Sequence, residues 1–315
     1  MSFAPFIRSD NSDSSIWLHY DVPAEGKYYM LLAFCDSSTV NLNVTGHVVA
    51  MNPYGHFPAR LYGLIPFTRC LCFLSAVLLG FWLYRCNAYR KELMSVHIMI
   101  IAVLVVFTID SLLKLWNINT FNKNGTYTTY ITVISLVFDS VTRVVGRCLT
   151  LMVTMGYRCT KRVIRRLGVT CSSLGNSIWK IVGIGCVYFV LSLWDSLVSA
   201  FSTSTSVNLL HVIPASLMDS VIYFWILQSL LDTIEALEEK KQTSKLHIFI
   251  KLRNMIIVIV VFATLYNIFF SYIIIKRALD FFWKYQWFFN DGVWSLFYYL
   301  ILCSIIVRSP LLTHV

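Results

Sequence analysis

Residues 131–154 read ITVISLVFDSVTRVVGRCLTLMVT. The stretch is long enough to cross a bilayer, which takes roughly 20 residues of helix. Its polar residues are not scattered. Ser135, Asp139, Thr142, Arg143, Gly146, Arg147, Thr150 and Thr154 recur at helical spacing and share one face, while Val, Leu, Ile and Met fill the others. Three charges in an apolar span cost too much to face lipid, at about 2.5–3.5 kcal/mol each near the bilayer centre. This helix must therefore turn its charged face to other helices or to water, and it predicts a bundle around itself.

Six more windows of similar character follow from the same measure. The seven spans fall near 61–84, 98–116, 131–154, 178–200, 212–232, 255–275 and 293–308. The chain of 315 residues is 57% hydrophobic and 13% charged, with mean hydropathy +0.67, too apolar to cover a soluble domain of that size. The fold class is thus an all-α membrane protein, a seven-transmembrane helix bundle over 61–308, with a short amino-terminal lumenal β segment over 1–60 and a cytosolic tail over 309–315.

Lys and Arg crowd into every second connection: Arg85, Arg90 and Lys91 after span 1, Arg158 to Lys180 after span 3, Lys240 to Arg253 after span 5, and Arg308 at the end. By the positive-inside rule these connections are cytosolic, which puts the amino terminus in the lumen. The net charge of +10 is then a signature of topology, and nucleic acid is not an expected partner because no soluble face carries stacking aromatics. Met1 to Asp13 has no apolar core of a secretory signal, so either span 1 inserts the chain or residues precede Met1. Of nine cysteines only Cys35 lies in the lumen outside a span, so no disulfide framework is expected.

In the first sixty residues Ile16, Leu18 and Tyr20 alternate with polar residues, as do Val40, Leu42 and Val44, and Tyr28 to Phe34 form an apolar run. Three or four short strands are implied, the end of a larger lumenal β domain, since so small a sheet is marginal by itself. Asn43-Val44-Thr45 is a glycosylation acceptor on that side.

The spans hold several ionisable residues: Arg69, Asp110 and Lys114, Asp139, Arg143 and Arg147, Asp195, and Asp219. Arg69, Asp110, Asp139 and Asp219 lie about eight residues, or about 12 Å, inward from the lumenal end of their spans. Most of the charges therefore share the lumenal half, which suggests a polar cavity opening to the lumen with span 3 as its spine. Asp139 and Arg143 are spaced to pair along the helix, leaving Arg147 to find an acid elsewhere. Lys114, shallower, is placed to snorkel to the interface. The same charges also suit a second role, fixing helix register as ion pairs with no ligand.

Catalytic chemistry finds no support. No span holds the clustered His and Asp of a zinc hydrolase, span 7 has no lysine for a retinal Schiff base, and neither a nucleophile elbow nor a phosphate loop is present. No enzyme activity, metal or cofactor is expected. A rhodopsin-type G-protein-coupled receptor fits the topology, but span 3 ends Met155-Gly156-Tyr157-Arg158 and span 7 lacks Asn-Pro-x-x-Tyr, so a G protein is not an expected partner. On the cytosolic side Arg158, Lys161, Arg162, Arg165 and Arg166 could contact anionic lipid headgroups. Thr313-His314-Val315 matches a loose PDZ-type ligand pattern ending at Val315.

One junction is more specific. Asn52-Pro53-Tyr54-Gly55, followed by Pro58, Ala59, Leu61-Tyr62-Gly63-Leu64 and Pro66-Phe67, closely resembles the passage from lumenal domain to first helix in the Lung seven transmembrane receptor family, also called GOLD-domain seven-transmembrane proteins. Arg143-x-x-x-Arg147 with Leu149, Val153, Gly156 and Tyr157, then Arg166-Leu167-Gly168, resembles that family's third span and its exit. Trp287, Asp291, Trp294 and Arg308-Ser309-Pro310 resemble its last helix, whereas Arg158 stands where it usually has glycine. The resemblance implies a Golgi or endosomal membrane, a part in vesicle trafficking, and, through likeness to Wntless-type carriers, a lumen-facing site for membrane lipid or lipid-bearing cargo. The charges of spans 2–5 leave an ion channel or transporter as the alternative.

Overall fold

The computed structural model describes residues 20–22, 26, 28, 48–90, 95–154, 172–201, 209–239, 243–275 and 283–307. The chain divides into two compact units, Met1–Val48 and Val49–Val315, and most of the expected β segment lies outside the described residues. The second unit is helical. Seven long helices run through it: α1 Leu64–Ala88, α2 Ser95–Asn124, α3 Thr129–Thr154, α4 Ser172–Phe201, α5 Leu209–Glu239, α6 Thr243–Ile275 and α7 Val293–Val307. Several overshoot the apolar windows, α2 by eight residues at its carboxyl end and α6 by twelve at its amino end, because polar flanks with good helix propensity continue a helix into water.

Four stretches, Ala59–Ala88, His97–Asn124, Trp179–Phe201 and Pro214–Glu235, are long and apolar enough to cross a membrane, and Arg253–Tyr266 and Val293–Ile306 are shorter apolar helices. α3 stands apart through its three charges. Outward faces carry bare hydrophobic side chains such as Phe73, Phe224, Val258 and Ile268, the reverse of a soluble bundle. Hydroxyls within the helices donate back to their own backbone. Thr108 to Leu104, Ser111 to Phe107, Thr142 to Phe138 and Thr150 to Gly146 all bond at 2.8–2.9 Å, the cheapest way to satisfy an O–H where water is absent.

Two apolar cores hold the bundle. One joins α1, α2, α3 and α7 through Trp82, Leu104, Phe107, Leu149, Leu302 and Ile306. The other joins α3, α4, α5 and α6 through Leu151, Ile181, Ile222, Ile226, Leu230 and Ile256. Leu149 and Leu151 sit two residues apart, hence on opposite sides of α3, so this helix is the wall shared by both cores. On α3, Gly146 has no side chain because Tyr298 of α7 occupies the place where a Cβ would stand.

The Asn52-Pro53-Tyr54-Gly55 junction folds as a tight strap before α1. Asn52 and Gly55 exchange backbone hydrogen bonds at 2.8 and 3.0 Å. Asn122, near the end of α2, then fastens the turn. Its Nδ2 donates to the Tyr54 carbonyl at 2.8 Å, its Oδ1 accepts from Phe57 N–H at 3.0 Å, and its carbonyl accepts from His56 N–H at 3.1 Å. Gly55 has φ +128°, a conformation L side chains rarely adopt, and a Cβ there would overlap Asn122. The motif's spelling is thus the geometry of a turn bolted to a neighbouring helix. We expect Gly55→Ala to destabilise the detergent-purified protein by about 1–3 kcal/mol, seen as a lower thermal midpoint. Gly80→Ala, in a helix with nothing within 4 Å of the added methyl, should leave the midpoint unchanged or raise it.

Candidate functional site

The helical period of α3 puts Asp139, Arg143 and Arg147 one turn apart in a row, and each finds partners on a different helix. Asp139 is the centre. Its Oδ1 accepts from Lys114 Nζ of α2 at 2.5 Å, and its Oδ2 pairs with Arg143. Lys114 also donates to Asp110 Oδ2, one turn back on α2, at 2.9 Å. Arg143 reaches α4, donating from Nη2 to Ser196 Oγ at 3.0 Å. These contacts link three helices through one carboxylate.

One turn further, Arg147 makes a separate set. Its Nη1 donates to the Arg143 carbonyl at 3.2 Å, and its Nε lies 2.7 Å from Asp219 Oδ1 of α5. That last approach is a charge pair and not a directed hydrogen bond, since neither atom has a hydrogen-bond partner by angle. The guanidinium lies over the ring of Tyr188 of α4 at 4.6 Å and near that of Tyr223 of α5 at 5.9 Å. Beside it an open crevice of about 270 Å³, measured to its mouth, runs between α3, α4 and α5 past Cys148, Leu151, Gly185 and Trp225. From α7, Tyr298 donates its hydroxyl to the Thr142 carbonyl at 3.1 Å, sealing the row on that side.

Accessibility divides the row. Asp110 is nearly sealed, with 2% of its side chain exposed, and Arg147 keeps 19%. Lys114 and Arg143 keep 35% and 37% although helices surround them. Two further carboxylates act on these cations through space: Asp195 of α4 on Arg143, and Asp291, just before α7, on Lys114 and Arg143. Asp110, Asp139, Asp195 and Asp291 thus surround two cations, Lys114 and Arg143. Among the described residues no group of three or more His, Cys, Asp or Glu is placed to hold a metal ion.

Of the ionisable residues singled out in the spans, Asp110, Asp139, Arg143, Arg147, Asp195 and Asp219 gather along α3. Arg69 does not: it is exposed on α1 and takes part in none of the ion pairs found among the described residues. Lys114 corrects the expectation of snorkelling, because two carboxylates within reach hold an ammonium better than a stretch toward the interface. Asn43, Arg158, Lys161, Arg162, Arg165, Arg166 and Val315 lie outside the described residues. Residue patterns did not single out Ser196, Tyr188, Tyr223 or Tyr298, since neutral side chains on four different helices give no periodic signal. Asp291 had a signal, its place in the last-helix motif.

A helical bundle organised by charges on its third helix, with a strap clamped to the end of the second, defines a class of multi-span membrane protein. Residues 63–308 match the family model described as GOST, seven transmembrane domain, and the chain belongs to that family. It is 24% identical over 288 residues to Transmembrane protein 87A of Xenopus tropicalis, covering 89% of this chain and 50% of the relative. It is 23% identical over 272 residues to human Transmembrane protein 87B, covering 84% of this chain and 46% of the relative. The chain spans about half the length of these curated relatives.

The pairing of Arg147 with Asp219 makes a thermodynamic prediction. Removing one partner strands a buried charge, at a cost of about 3–5 kcal/mol, whereas removing both does not. Arg147→Met should therefore lower the thermal midpoint more than the double variant Arg147→Met/Asp219→Leu. Additive losses in a double-mutant cycle would show that the two charges do not interact.

Proposed function

We propose that this protein is a Golgi or endosomal membrane protein of the secretory pathway that takes part in vesicle trafficking, with its amino terminus in the lumen. In this reading it binds a lipid, or the lipid of a lipid-bearing cargo protein, in a polar cavity facing the lumen. The observation that carries the reading is the accessibility of Lys114 and Arg143 inside the bundle. Ion pairs made only to fix helix register gain by being closed, because exposure to water weakens them. Here the two cations nearest the strap end stay open and the deeper Arg147 is closed. Their N–H groups suit a phosphate or carboxylate headgroup, and the surplus carboxylates Asp195 and Asp291 suit an amine on the same group.

The basic residues between spans place the strap end in the lumen, so the open part of the row faces that side. A path across the membrane would have to continue past Arg147. There the charge pair with Asp219 and the rings of Tyr188 and Tyr223 stand in the way, which supports a one-sided cavity over a channel or transporter. Asn43 carries the glycan in this topology, and the basic residues from Arg158 to Arg166 meet anionic headgroups on the cytosolic face.

In cells, Arg143→Ala should slow or misroute cargo of the secretory pathway while the abundance and glycosylation of the protein stay normal, and Arg143→Lys should restore part of the transport. Disappearance of the protein itself would mean that the row serves packing alone. Current across bilayers holding the purified protein, lost on neutralising Asp139, would favour the channel instead.

A further inference from the structure

The chain enters α7 through a π-helical turn, Phe288–Gly292. Such turns hold one extra residue, bond less well than an α-helix, and recur where function needs them. Two contacts keep this one in place. Trp287 lies on Gly63, where a Cβ would overlap the indole, and against Phe67 with ring centroids 5.5 Å apart. Tyr266 of α6 donates its hydroxyl to the Phe289 carbonyl at 2.6 Å, satisfying an oxygen of the widened turn.

Asp291 lies inside this turn, exposed, and acts on Lys114, Asp139 and Arg143. Conversion of the turn to ordinary α-helix shifts the chain before it by one residue, a rotation of about 100° relative to α7. Trp287 could not then rest on Gly63 while α7 keeps its place against Tyr298's contacts on α3. The seat of Trp287 and the position of Asp291 are therefore linked through one metastable turn.

We propose that Trp287 on Gly63 is a latch: it holds the π-helical entry of α7, and Asp291 with it, against the Lys114–Asp139–Arg143 cluster, and its release opens that cluster to ligand. The latch rests on the reading of the cluster as a binding cavity and adds the means of its regulation. Gly63 belongs to the strap junction and Trp287 to the last helix, so the two ends of the helical unit meet at this contact. The strap, fastened to α2 by Asn122, fixes the start of α1 and with it the seat.

The test uses the full chain in liposomes with Ser196→Cys as reporter, since Ser196 touches Arg143. Modification of position 196 by a negatively charged, water-soluble methanethiosulfonate is followed by peptide mass spectrometry, with buried Cys86 as the control for an intact bundle. Trp287→Ala should speed modification about tenfold, and Gly63→Ala should act in the same direction by unseating the indole. Tyr266→Phe, which removes one hydrogen bond and keeps the ring, should speed it about fivefold. Equal rates in all backgrounds would overturn the latch and leave the cavity standing. No modification in any background would overturn both. Should Cys86 react in Trp287→Ala, that variant has lost its fold and Tyr266→Phe decides: a faster rate with Cys86 protected supports the latch, and an unchanged rate overturns it.

Discussion

Asp139 holds an ammonium from α2 on one oxygen and a guanidinium of its own helix on the other. A lone carboxylate in a bilayer core is prohibitively costly, and so is a lone lysine or arginine. Sharing one acid between two bases makes the three tolerable together, and Asp110 balances the remaining charge. The arrangement of the helices follows from this constraint. α2 must run beside α3 with Lys114 level with Asp139, α4 must bring Ser196 to Arg143, and α5 must bring Asp219 to Arg147.

The apolar packing is arranged around the same helix. Leu149 and Leu151 send α3 into two cores at once, so displacing it would disturb six other helices. Close approach to α7 is made possible by Gly146, and the hydroxyl of Tyr298 finds its acceptor on the α3 backbone instead of needing water. A rigid wall with an open upper half and a closed lower half is what a one-sided binding cavity requires. The openings in energy terms are small: each accessible cation needs only to exchange a side-chain partner for a ligand oxygen of similar strength.

Much of this was legible before any coordinates. The row Asp139, Arg143, Arg147 follows from helical period alone, as does the need of Arg147 for an acid on another helix. Lys114 was misread because depth was counted from the apolar window, while α2 continues to Asn124 and carries Lys114 well inside the helix. Arg69 has the same depth as the others and is exposed all the same, since depth along a helix says nothing of the face it presents. The glycines of the junction could be recognised as a family pattern, but not explained: Gly55 answers to Asn122 and Gly63 to Trp287, partners 67 and 224 residues away. Tyr188 and Tyr223 were invisible for a similar reason, as stacking on Arg147 depends on rotation of two helices about their axes.

Water is the most direct witness to the account. In solid-state NMR of the full chain in lipid bilayers with nitrogen-labelled arginine, magnetisation passed from water should reach the Arg143 guanidinium early and the Arg147 guanidinium late. That order is the one expected of a cavity that opens above Arg143 and ends at the Asp219 pair. Two guanidinium groups filling equally slowly would mean a dry row of structural ion pairs, and two filling equally fast would mean a path that continues through the membrane.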